Sequence, residues 1–297
     1  MIVKTTFKDR PAIAVTAGRL TATFLPEDGG KMASLVDEKG FEYFEQAPGE
    51  SYLRLTPDGD FVSSECSAFD DMFPTIDPYT ATEGAFAGIP YPDHGEIARI
   101  PSECTVTDEA VTFRFPSRLF KTVFVKTVTA ENEGIRLSYH IENGYDEPYP
   151  CLWVAHCMLH GEEDAEVVTS YAPDAPIKKM FGRDEPEQFN RLSLAPFDPE
   201  NGKAYKFYYT EPMPEGYCGY RYASTGRTLK MTFDETKIPY VGLWFNCGRF
   251  KGMYNVAMEI ATGPYDAPDK AEAEGKGFFL PAGGAFDFDL TFSLEDN

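Results

Sequence analysis

Ile135-Arg136-Leu137-Ser138-Tyr139-His140-Ile141-Glu142, followed at once by Asn143-Gly144, decides the fold class. In an extended chain successive side chains point to opposite faces. Ile135, Leu137, Tyr139 and Ile141 therefore share one face, and Arg136, Ser138, His140 and Glu142 share the other. That alternation reads as a half-buried strand with His140 solvated, and Asn-Gly supplies the turn that ends it. Leu119–Thr129, Arg19–Leu25, Thr228–Phe233, Tyr240–Phe245 and Ala285–Leu294 are equally β-rich, and Ala110–Phe115 puts Val111, Phe113 and Phe115 on one face. A sustained 3.6-residue period is hard to find; the best helical stretch, Ala267–Gly275, is short. The 25 Gly and 23 Pro are spread along the whole chain, which suits many short strands joined by turns. Turn-rich segments 56–95 and 171–215 read as ordered loops that are functional or hold small strands. The expectation is an all-β chain, a single domain over 1–297, built as stacked, mostly antiparallel sheets.

Charge narrows the partners. The 297 residues include 27 Lys+Arg and 48 Asp+Glu, a net charge of −21. Nucleic acid and anionic lipid need clustered cations, so neither is expected as a partner. A sugar phosphate, which needs several Arg or Lys at its cleft, is also disfavoured. With 42% apolar and 14% aromatic residues the chain is not a disordered acidic one. The N-terminal stretch lacks the apolar core of roughly 7–15 residues that a signal peptide needs. No window approaches the ~18 apolar residues of a membrane span. The six cysteines form no CxxC and read as reduced thiols, so a cytoplasmic protein is expected.

The four histidines are the scarce acid–base candidates near neutral pH. His94 lies in Tyr91-Pro92-Asp93-His94-Gly95-Glu96, a turn fixed by Pro92 and Gly95. It is either a surface histidine bonded to Asp93 or a ring left accessible by the glycine. His156 lies in the apolar run Cys151–Met158 and reads as buried: a satisfied core histidine or a tuned hydrogen-bond donor. His156 and His160 are four apart, but on a strand they stand about 13 Å apart, so a metal site is not expected. Glu259, in Val256-Ala257-Met258-Glu259-Ile260, is either exposed at a strand edge or buried with the raised pKa of a general base. Asp70-Asp71, in Phe69-Asp70-Asp71-Met72-Phe73-Pro74, suits a sugar cleft or a loop anchored by buried phenylalanines. No GxGxxG, GxxxxGK[ST] or GxSxG is present.

Five segments, in order, resemble the galactose mutarotase-like superfamily, in particular aldose 1-epimerases. They are Leu25–Val36 with its Gly29-Gly30; Met72–Ile76 with Asp93–Arg99; Glu142-Asn143 to Leu152–His156; Gly242-Leu243-Trp244 with Ala257–Pro264; and Phe279–Gly284. The resemblance implies a β-supersandwich and an isomerase that interconverts α- and β-anomers of a free neutral aldose without metal or nucleotide cofactor. By the same resemblance Glu259 would take the proton of the anomeric O1 hydroxyl and His156 would give one to ring oxygen O5. His94 would hold the sugar and Arg99 would add hydrogen bonds; Asp71 and Trp244 are further substrate-binding candidates. The partner expected is a small carbohydrate, and the oligomeric state, monomer or homodimer, stays open. The alternative is a non-catalytic sugar-binding or sugar-sensing protein on the same fold. The chain departs from the best-known members at three places. Ala155-His156-Cys157-Met158 replaces their NHtYFN, Cys66–Asp71 stands where an early Asn-Arg is usual, and no Gln follows Glu259.

Overall fold

In a computed structural model, which describes residues 1–132, 134–182, 192–194, 197, 200 and 202–297, two large sheets account for most strands. One has ten strands, in the order Ile2–Phe7, Arg10–Ala17, Leu20–Leu25, Lys31–Asp37, Phe69–Met72, Val154–His160, Tyr254–Ala261, Tyr240–Cys247, Lys203–Tyr209, Ile177–Phe181. The other has eight: Glu166–Thr169, Tyr217–Tyr222, Arg227–Phe233, Ala285–Asp296, Gly134–Asn143, Thr122–Ala130, Ala110–Pro116, Glu103–Val106. Neighbours within both sheets run antiparallel.

The sheets stack because each carries one apolar face. Ile135, Leu137, Tyr139 and Ile141 are buried on the alternating pattern their sequence predicts, and Glu142 is exposed. Between the sheets Phe69 meets Phe292, with ring centroids 5.7 Å apart, and Phe24 meets Phe113 at 5.8 Å. The strands read from sequence all form, with ends shifted by no more than three residues. The apolar run at Cys151 becomes strand only from Val154. The helical stretch yields one short helix, Pro268–Glu272, with Pro at its start. Segment 56–95 holds the strand Phe69–Met72 and two two-residue strands. Segment 171–215 holds Ile177–Phe181 and Lys203–Tyr209; part of it lies outside the described residues.

The site depends on which face of the ten-stranded sheet a residue takes. Val256, Met258 and Ile260 enter the core between the sheets. Period-two alternation sends Ala257, Glu259 and Ala261 to the opposite, outer face. Loops around Phe61, His94, Met253 and Asp266 stand over that face and line a cleft-like cavity of about 310 Å³.

Candidate active site

Strand register lines up the chemistry. His156 pairs with Glu259, Glu259 with Gly242, and Gly242 with Tyr208, so four adjacent strands present one row of positions on the outer face. The next row carries Met158, Ala257, Trp244 and Lys206. His94, His156, Lys206, Trp244, Glu259 and Asp266 all line the cavity.

Glu259 is 1% exposed and lies among four polar groups. Its Oε2 is 2.5 Å from Lys206 Nζ and accepts from the Tyr208 hydroxyl at 3.2 Å. Its Oε1 is 4.0 Å from His156 Nε2. Lys206 Nζ also reaches Asp266 Oδ1 at 2.8 Å, and Tyr208 donates to that same oxygen at 2.8 Å. Burial pushes the Glu259 carboxyl above its usual range; Lys206 opposes the rise and Asp266 adds to it. Burial also opposes the charge of Lys206, but Asp266 and Glu259 together overcome it and hold the ammonium above the ordinary lysine value.

Burial drives His156 well below the ordinary histidine value, and the charges of Lys206 and Lys31, with the His94 ring, act in the same direction. Its imidazole is therefore neutral in the open cavity. Nδ1 is buried and has no hydrogen-bond partner among the described residues. A bare lone pair costs less there than an unpaired N–H. The proton is thus assigned to Nε2, on the side of Glu259.

His94 stacks on Phe61, with ring centroids 4.0 Å apart, and stands edge-on to His156 at 5.6 Å. Both readings of its sequence meet here: Nδ1 bonds Asp93 at 2.9 Å while the ring lines the cavity. Its backbone takes φ 56°, held by the bond from His94 N to Ile76 O at 2.6 Å. Gly95 must be glycine: φ is 72°, and a Cβ would lie 2.5 Å from the Phe73 carbonyl oxygen. Trp244 is half-buried, with Phe181 at 5.4 Å and Phe250 at 5.2 Å between ring centroids.

Two expected sugar contacts sit elsewhere. Arg99 does not line the cavity. Its guanidinium donates to the carbonyls of Gly95, Thr56, Pro57, Gly59 and Asp93 at 2.6–3.2 Å, which ties the 56–59 loop to the His94 turn. Asp71 pairs across the strands with Ala155, and its neighbour Asp70 pairs with His156. A one-residue step inverts the face, so Asp71 points between the sheets. There it meets Lys126 Nζ at 2.6 Å and accepts from Trp153 Nε1 at 3.1 Å, with Asp71 and Lys126 fully buried. Asp70 takes the outer face but is bound to Lys31.

Sequence reasoning missed Lys206, Asp266 and Tyr208. Lys206 carries the signal that picked out Glu259, a lone charge in a strand run of apolar and aromatic residues, Ala204–Tyr209. That run lay hidden in a segment read as loop.

No family model and no curated protein matches the chain. Solved structures do. A candidate aldose 1-epimerase from Klebsiella pneumoniae superposes with a TM-score of 0.71 at 15% identity, over 98% of this chain and 81% of that one. A candidate aldose 1-epimerase from Escherichia coli K12 gives 0.67 at 11%, over 96% and 98%. A galactose mutarotase-like protein from Clostridium acetobutylicum gives 0.65 at 15%, over 100% and 99%. The chain thus has the all-β fold of galactose mutarotase-like structures, the fold its sequence motifs implied.

Proposed function

We propose that the protein is an aldose 1-epimerase-type isomerase acting on a free neutral aldose, with Glu259 as base and His156 as acid. The observation that carries this reading is the pair itself: a buried carboxylate and a buried imidazole, 4.0 Å apart from Oε1 to Nε2, on one wall of the cavity. Glu259 takes the O1 proton as the O1 electrons form the C1=O bond. The C1–O5 bond breaks, its electron pair stays on O5, and O5 takes a proton from His156 Nε2. Rotation about C1–C2 presents the other carbonyl face, and the reverse transfers close the ring. His94, stacked on Phe61, holds sugar hydroxyls, and the Trp244 face receives apolar C–H groups.

Burial moves the two groups toward each other, Glu259 upward and His156 downward. The reactive form, Glu259 carboxylate with His156 imidazolium, holds one proton on the pair and is lost when that proton leaves or a second one binds. The pH–rate profile is accordingly a bell whose limbs belong to the pair. The cavity lining holds three lysines, Lys206, Lys251 and Lys270, and three carboxylates, Asp77, Glu259 and Asp266. Lys206 and Lys270 are already committed to carboxylates, which supports a neutral ligand.

Saturation-transfer NMR on a panel of common aldoses tests the reading. Anomer exchange faster than in buffer for at least one aldose is expected. Sugar binding with no added exchange would support the non-catalytic alternative, and neither binding nor exchange would remove both.

A further inference from the structure

We propose that Lys206 is a positioning residue for the base: its ammonium, held between Glu259 and Asp266, keeps Glu259 ionised and aimed into the cavity, while Asp266 acts against it. This rests on the reading of Glu259 as base.

The geometry is specific. Lys206 Nζ lies 2.5 Å from Glu259 and 2.8 Å from Asp266, and Lys206 is 7% exposed, Glu259 1% and Asp266 6%. Two buried carboxylates so close to one cation would share a proton without it. The groups facing Glu259 come from every neighbouring element: His156 from one adjacent strand, Lys206 and Tyr208 from beyond Gly242, and Asp266 from the loop above. Gly242 itself contributes no side chain.

Asp266 is held in place at a cost. Tyr265 and Asp266 take φ of 73° and 70°, a backbone state non-glycine residues rarely adopt. The Asp266 carbonyl compensates by accepting from Ile76 N at 3.0 Å, Asp77 N at 2.8 Å and Thr75 Oγ1 at 3.1 Å. Strain concentrated at the residue that shares the cation marks this carboxylate as placed for the site and not merely as a loop end.

The cluster makes opposite predictions for its two outer members. Lys206→Met removes a cation and moves the bell-shaped profile of kcat/KM to higher pH by roughly 1–3 units, so that the rate on the acid limb falls at least about tenfold. Asp266→Asn removes an anion and moves the bell down. Lys206→Arg, which keeps the charge, leaves the limbs near their wild-type positions. A structural defect alone lowers the rate at all pH values without moving the limbs, and that result overturns the proposal, as do shifts of the same sign in the Met and Asn variants. If Lys206→Met fails to fold, the Asp266→Asn and Lys206→Arg profiles decide. If the wild type turns over no aldose, the function fails but the proposal is still tested. Carboxyl-¹³C NMR titration, with the Glu259 resonance assigned by its loss in Glu259→Gln, must then show Glu259 titrating higher in Lys206→Met and lower in Asp266→Asn. An unmoved resonance refutes it.

Discussion

Gly242 has no side chain, and the site needs that absence. A Cβ at Gly242 would lie 2.6 Å from Tyr208 Cζ, so the tyrosine that donates to Glu259 and Asp266 could not keep its place. Gly242→Ala is expected to lower stability by about 1–3 kcal/mol, read by thermal unfolding, and to lower kcat more than KM. Asp71 gives the contrasting case. Asp71→Asn leaves a fully buried Lys126 ammonium without its counter-charge and should cost about 3–5 kcal/mol in denaturant unfolding. Its KM for sugar should stay at the wild-type value, because Asp71 faces away from the cavity. A rise in KM with intact stability would restore Asp71 to the binding site. At this scale the sequence was legible where one residue's setting sufficed. Glu259 and His156 stood out as polar groups in apolar strands, and both line the cavity. Asp70 and Asp71 could not be told apart, because facing is set by the strand register and not by the local string.

The element that organises the site is the turn from Asp93 to Arg99. Arg99 binds the carbonyls on both sides of His94 and three more in the 56–59 loop. Phe61, two residues beyond that loop, supplies the ring on which His94 stacks. Arg99→Met is expected to loosen both layers and to raise KM about tenfold, equivalent to ~1.4 kcal/mol of binding, with kcat changed less. Steady-state exchange kinetics over a sugar titration reads both. An unchanged KM would show that the turn holds its shape without the guanidinium. Strands were legible in the sequence because period-two alternation is local, as in Ile135–Glu142. The wall of the cavity was not, because it joins strands to loops that are distant in sequence, and the strand carrying Lys206 lies in a proline-rich segment.

Over the whole molecule, the −21 charge is a property of the surface and not of the site, whose lining balances three lysines against three carboxylates. Acid stability shows the buried site instead. In the folded protein His156 titrates well below its unfolded value of about 6.5. Below that pH the unfolded chain binds a proton that the folded chain refuses. Stability is therefore lost as pH falls from about 6.5 toward the folded value, by up to ~1.4 kcal/mol per pH unit. His140 and His160 are shifted upward by their carboxylate partners and work the other way. They are common to wild type and His156→Gln and cancel in the difference between the two, which reads His156 together with its neighbour Glu259. Urea unfolding at pH 7.5 and 5.5 should show a smaller acid loss in His156→Gln; an equal loss would mean that His156 is charged in the fold. The fold was the most legible level, since five weak motifs in the right order match a fold seen in solved structures at 11–17% identity. The central claim, that Glu259 and His156 open and close a sugar ring, is tested most directly by anomer exchange measured by saturation-transfer NMR in wild type, Glu259→Gln and His156→Asn at one pH. The account predicts exchange faster than in buffer for the wild type, a loss of roughly 10²–10⁴-fold in each variant, and unfolding transitions that show both variants folded. Folded variants that keep the wild-type exchange rate would contradict it.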